Sequence, residues 1–154
     1  MYRFSNGDAV SEVKTFKTGG TGDFSFFAAG DPQIGSHGYL NGKDGWDKTL
    51  KLLPELDPSA SFLLSLGDQV NISDNERQYD AYINRDGFNG LTLAPIIGNH
   101  DERGNAHEEH FKVSNVQDEG KSNAGSNYYY VYNNTLFICL NSNNIRICIM
   151  LYCF

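Results

Sequence analysis

Three apolar runs in this chain end on closely similar residues. Phe26-Phe27-Ala28-Ala29 runs into Gly30-Asp31-Pro32-Gln33, Leu63-Leu64-Ser65-Leu66 into Gly67-Asp68-Gln69-Val70, and Pro95-Ile96-Ile97 into Gly98-Asn99-His100-Asp101. One Gly-Asp after an apolar run means little, because both are turn residues. Three such ends in succession, the last extended to Asn-His-Asp, form a set with a definite chemistry. Carboxylates and amide carbonyls are oxygen donors suited to hard or borderline divalent cations. A carboxylate between two ions can bridge them. A bridged pair stabilises both the attacking and the leaving oxygen of a displacement and lowers the pKa of a water held between the ions. His100 cannot easily bind the same ion as its neighbour Asn99. It suits contact with a phosphate or protonation of a leaving group, with Asp101 fixing its ring orientation.

For these residues to meet, the apolar runs must be neighbouring strands. In an open α/β sheet, ligands bind beyond the carboxyl ends of the strands, and a glycine before each ligand lets the backbone turn and approach closely. Phe24 to Ala29 reads as a strand buried on both faces, Phe62 to Leu66 as a second, and Leu91 to Ile97, interrupted by Pro95, as a third. Between them, Trp46, Leu50 and Leu53 fall at helical spacing, with Asp44 and Asp47 as caps and Pro54 as the stop. Ser73-Asp74-Asn75-Glu76 has the form of a capping box, and Tyr79, Tyr82 and Ile83 would be that helix's inner face. Glu108 to Lys112 closes a short helix. Tyr128 to Tyr132 and Thr135 to Leu140 pair around Asn133-Asn134, with Tyr129 facing away from Tyr128 and Tyr130. This alternation gives an α/β fold over residues 24–142.

Residues 1–18 read differently. Tyr2-Arg3-Phe4 and Val10 to Phe16 flank Asn6-Gly7, the pattern of a hairpin, and residues 19–23, rich in glycine, read as a flexible linker. A lone hairpin does not fold by itself. At the other end, residues 143–154 form an atypical tail, apolar from Ile145 to Phe154 without turn chemistry, expected to be foreign to the preceding fold.

Composition narrows the function classes. The chain has 154 residues with net charge -7 and 40% hydrophobic residues, enough for one packed domain. That acidity opposes binding to nucleic acid or an anionic membrane and suits holding cations. Nothing reads as a signal peptide or a membrane span. Cys139, Cys148 and Cys153 fit neither a disulfide framework nor a zinc pattern; Cys139 reads as a buried thiol. His37 reads as a solvated loop residue near the crevice, and His107 and His110 as surface or loop residues. Asn71-Ile72-Ser73 and Asn133-Asn134-Thr135 match glycosylation sequons, a pattern frequent by chance.

The ordered set Asp31, Gly67-Asp68 and Gly98-Asn99-His100-Asp101 resembles the first half of the calcineurin-like metallophosphoesterase family, in the subset with Asp-Pro-Gln at the first turn. Residues 1–18 resemble the last hairpin of the fibronectin-III-like domain that precedes the catalytic domain in purple acid phosphatases. The resemblance implies the first half of a four-layer α/β sandwich and a phosphoric ester hydrolase, phosphatase or phosphodiesterase. It implies two divalent metal ions (manganese, iron, zinc or magnesium), a phosphate-ester substrate and an extracellular or cell-envelope setting. Asp31 and Gln33 would bind the first metal, Asp68 would bridge, and Asn99 would bind the second. His100 would lie beside the phosphate, held by Asp101. Three departures stand out. Gln33 replaces a frequent His. Asn71 stands where purple acid phosphatases carry an iron-binding Tyr. No histidine follows His110, whereas the family needs later ones. The chain is therefore expected to be a truncated member. The alternative is a non-catalytic metal- or phosphate-binding fragment.

Overall fold

The computed structural model describes residues 3–16, 18–88 and 90–143. The tail from residue 144, with Cys148 and Cys153, lies outside the described residues.

The centre is a parallel sheet of β3 (Phe27–Ala29), β4 (Phe62–Ser65) and β5 (Thr92–Pro95), in the order β3-β4-β5. It follows the short N-terminal strands β1 (Ser5–Asn6) and β2 (Ala9–Val10). Phe27 pairs with Leu63, and Leu63 with Leu93. Only the middle strand matches the reading of a strand buried on both faces: Phe62, Leu63 and Ser65 are buried, whereas Ala28 on β3 is exposed. An edge strand has a neighbour on one side only, so apolar content alone did not ensure its burial. Pro95 is tolerated because Ile96 N–H, not residue 95, donates to the Ser65 carbonyl (2.8 Å).

One face of the sheet carries the helices. On α1 (Lys43–Leu56), Trp46, Leu50 and Leu53 are buried against Leu63, Ile34 and Tyr82, each such burial worth about 1.5–3 kcal/mol. Trp46 stacks on Tyr82 (5.2 Å between centroids) and donates to its carbonyl. Pro54 does not end this helix. It sits in the last turn, and the helix closes through Asp57 N–H on the Leu53 carbonyl. Asp44 and Asp47 do not cap it either: the N-cap is Gly42 with no side-chain bond, and Asp47 pairs with Arg85 (3.5 Å). On α2 (Glu76–Ile83) the cap is Asn75, accepting from Gln78 N–H, so the capping box on Ser73 does not form. Tyr79 and Tyr82 are fully buried, as expected. Asp74 instead accepts the backbone N–H groups of Asn105 and Ala106, at the start of α3 (Ala106–His110).

The opposite face meets an antiparallel pair, β6 (Tyr128–Tyr132) and β7 (Thr135–Cys139). Phe62 points away from the helices and contacts Tyr130, Tyr132 and Phe137 edge-on, and Phe26 stacks on Phe62 (5.0 Å). Such aromatic pairs add about 0.5–1.5 kcal/mol beyond burial. Tyr128 is buried and Tyr129 exposed, the alternation read from sequence, and Cys139 is buried. The fold is mixed α/β. Among the described residues the outer face of β6–β7 is bare: Val131, Leu136 and Ile138 are each more than half exposed.

The N-terminal hairpin turns one residue later than Asn6-Gly7 implies. Asn6 pairs with Ala9, leaving Gly7 (φ 59) and Asp8 in the turn. The glycine-rich joint is tethered rather than loose. The Asn133 side chain accepts from Gly20 N–H (2.6 Å) and donates to the Gly22 carbonyl (2.8 Å). Among the described residues no helix is long and apolar enough to cross a membrane.

Candidate metal centre

The carboxyl ends of β3, β4 and β5 lie side by side, and their loops are stitched together in strand order. Asp31 N–H donates to the Gly67 carbonyl (3.2 Å) and Gln33 N–H to the Asp68 carbonyl (2.8 Å). His100 N–H donates to Asp68 Oδ1 (2.9 Å). These bonds bring Asp31, Gln33, Asp68 and the Asn99-His100 turn to one edge of the sheet. Glycine is required at the crossing of the second and third loops. A Cβ on Gly67 (φ 93) would stand 2.7 Å from Gly98 Cα, and one on Gly98 would collide with Asp68.

The backbone at this edge is strained. Asp31 (φ 54), Gln33 (φ 38) and Asp68 (φ 51) all adopt left-handed conformations. Each such position costs on the order of 1 kcal/mol or more and persists only where its surroundings enforce it. Asp31 and Asp68, like Asn115 and Asn133 elsewhere, are of the type that tolerates this region; Gln33 is not.

Asp101 is wholly buried. Its Oδ2 accepts the backbone N–H of Asp68 (2.8 Å) and of Gly98 (2.9 Å), and its Oδ1 that of Val70 (3.4 Å). Burial pushes its carboxyl up to about 6, against the lowering pull of those donors. The expected contact between Asp101 and the His100 ring is not made. His100 Nδ1 lies 3.0 Å from the Asn71 carbonyl. A carbonyl can only accept, so Nδ1 carries the proton and the backbone of residue 71 orients the ring.

Asn71 sits inside the site. Its Oδ1 faces Gln33 Nε2 (3.4 Å), and the N–H groups of Asn71 and Ile72 both donate to Gln78 Oε1 (3.1 and 2.9 Å). Gln78 and Gln69 escape a sequence reading because polar residues carry no burial signal, yet both are buried. Gln69 Nε2 bonds Ser65 and the Ile96 carbonyl, locking β4 to β5 beneath the site. Both sequon asparagines have their side chains engaged, Asn71 with Gln33 and Asn133 with the tether.

The oxygen donors that remain are mostly unpaired. The side chains of Asp31 and Asn99 are exposed and make no hydrogen bond among the described residues, and Asp68 uses only Oδ1. Unpaired hard oxygens at one edge fit a divalent cation. The complement is thin, however: among the described residues no three His, Cys, Asp or Glu come together.

The other histidines stand apart. His37 is exposed on its loop, bonded to Ser36. His110 stacks on Tyr79 and pairs with Glu76 (3.0 Å). His107 is not a surface residue. It is buried, its Nδ1 bonded to the Ala124 carbonyl (3.0 Å), and desolvation lowers its pKa to about 4. It therefore faces away from any ligand pair with His110. A cavity of about 1250 Å³ lies between the N-terminal segment and α2, away from the strand ends; donors and backbone conformation, not cavity size, mark the site. Comparison with family models, with curated proteins and with solved structures finds no match.

Proposed function

We propose that this chain carries part of the metal site of a phosphoric ester hydrolase of the calcineurin-like metallophosphoesterase type. One observation supports it above the others: three strand ends, cross-bonded at one edge of a parallel sheet, hold Asp31, Gln33 and Asp68 in left-handed backbone with oxygen donors left unpaired. Asp31 and Gln33 would hold one ion and Asn99 the other, with Asp68 between them. The ions would supply positive charge to stabilise the attacking and leaving oxygens of phosphoester hydrolysis. His100, with Nδ1 committed to Asn71, has Nε2 left, and in its imidazolium form that Nε2–H would donate to a phosphoryl oxygen or to the leaving group. Asp101 would act as a clamp on the Asp68 and Gly98 backbone rather than as a partner of His100. In this reading the helices, the parallel sheet and β6–β7 are three layers of a four-layer sandwich whose fourth would cover the bare face of β6–β7. The N-terminal hairpin would then belong to a fibronectin-III-like domain.

A second reading, metal or phosphate binding without turnover, is favoured by the thin donor set among the described residues. Manganese titration of the chain and of Asp68→Ala, with hydrolysis of a generic aryl phosphate, tests both. Turnover lost in the variant supports the hydrolase. Manganese binding without turnover leaves the second reading. No manganese binding sinks the hydrolase and the metal-binding form of the second reading.

A further inference from the structure

Beside the metal edge lies a cleft of about 270 Å³ between the loop after β4 and the loop after β5, lined by Asn71, Ile72, Ser73, Asn99, His100 and Arg103. Its lining is polar apart from Ile72, and it contains no carboxylate. Arg103 is exposed and, among the described residues, has neither a hydrogen bond nor an ion pair. The same cleft holds Asn99 and His100. The unpaired carboxylate Asp31 and the half-used Asp68 belong to the adjoining strand ends, so the edge divides by charge. Carboxylates on one side suit cations, and the cleft offers a guanidinium, a histidine ring and amide groups to an anion. A planar guanidinium matches two oxygens of a phosphoryl group at once, which an ammonium cannot do.

We propose that Arg103 is the anion anchor of this site, holding phosphoryl oxygens in the cleft beside His100. The inference rests on the phosphoester reading above and adds to it a substrate-positioning residue of this chain. It is tested with inorganic phosphate as the probe, titrated into the full chain with and without manganese and followed by calorimetry and by phosphorus NMR. Arg103→Ala is expected to weaken phosphate binding about tenfold while leaving manganese affinity unchanged. Arg103→Lys should recover part of the loss, because it keeps the charge without the fork. The proposal is overturned if Arg103→Ala binds phosphate as the parent does, if it loses manganese affinity in step with phosphate, or if the parent binds no phosphate under either condition. Asp68→Ala, titrated alongside with manganese, reads the metal assignment separately. If that variant keeps manganese affinity the metal assignment fails, while the metal-free phosphate comparison still reads Arg103.

Discussion

Asp31 and Asp68 follow glycine at the ends of neighbouring strands, yet they live in different surroundings. Asp31 leaves an edge strand, is exposed, and contributes only its backbone N–H to the stitching. Asp68 leaves the middle strand and is 9% exposed. Its N–H goes to Asp101, its carbonyl to Gln33, and its Oδ1 to His100. The difference comes from sheet order. A loop after the central strand has a neighbour on each side, so its polar groups are used up by both. A loop after an edge strand has one neighbour and keeps its side chain for a ligand. Asp68 should therefore couple fold and site, whereas Asp31 should serve the site alone.

The largest effect should come from the clamp that makes Asp68 different. Asp101→Ala removes the acceptor of three buried N–H groups, and we expect a loss of about 3–5 kcal/mol in urea unfolding. A loss below about 1 kcal/mol would show that the two loops hold themselves in place. Next comes α3, which follows the Asn-His-Asp turn and is pinned by His107. Its folded pKa is depressed to about 4 from 6.5, so between those values the unfolded chain binds the extra proton. The contribution of His107 should then fall as pH drops from about 6.5 to 4, by about 3 kcal/mol, while Asp101, raised to about 6, contributes in the opposite sense as pH falls from about 6 to 3.8. His107→Gln should remove the first contribution, so that the stability of the variant relative to the parent rises as pH falls from 6.5 to 4 in denaturation curves taken across the range; a pH-independent difference would place the titrating group elsewhere.

The direct comparison is smaller in energy and sharper in meaning. Asp68→Asn and Asp31→Asn should each lower manganese affinity about tenfold or more. Only the first should also lower stability, by about 1 kcal/mol, through its weakened bond to His100 N–H. Asp31→Asn should stay within about 0.5 kcal/mol of the parent. Equal stability losses in the two variants would erase the distinction between central and edge strand ends.

How much of this was legible beforehand depended on the kind of signal. Trp46, Leu50 and Leu53 at helical spacing, and the apolar runs before each glycine, announced the helix, the strands and their order of use. Helix and strand ends were read less well. Pro54 lies inside the helix, and Asn75 rather than Ser73 is the cap, because local chemistry permits several stops and packing chooses one. His107 carries the same side chain as His37, and nothing local distinguishes a buried ring from a solvated one.

The amino-acid sequence by itself determined which atoms could act: oxygen donors at Asp31, Gln33, Asp68 and Asn99, a histidine beside the last of them, and an acidic chain to hold cations. Those properties belong to side-chain types and to short stretches of backbone, so they are present in the unfolded chain. Only the tertiary structure decided which of those atoms were left unpaired. It committed Asp101 to three backbone donors, turned the His100 ring toward Asn71, brought Arg103 into the same cleft, and kept Asp31 open at the sheet's edge. Hydrogen-bond partners far apart in sequence are chosen by strand order and by the close approach of Gly67 to Gly98, and neither exists until the sheet has formed.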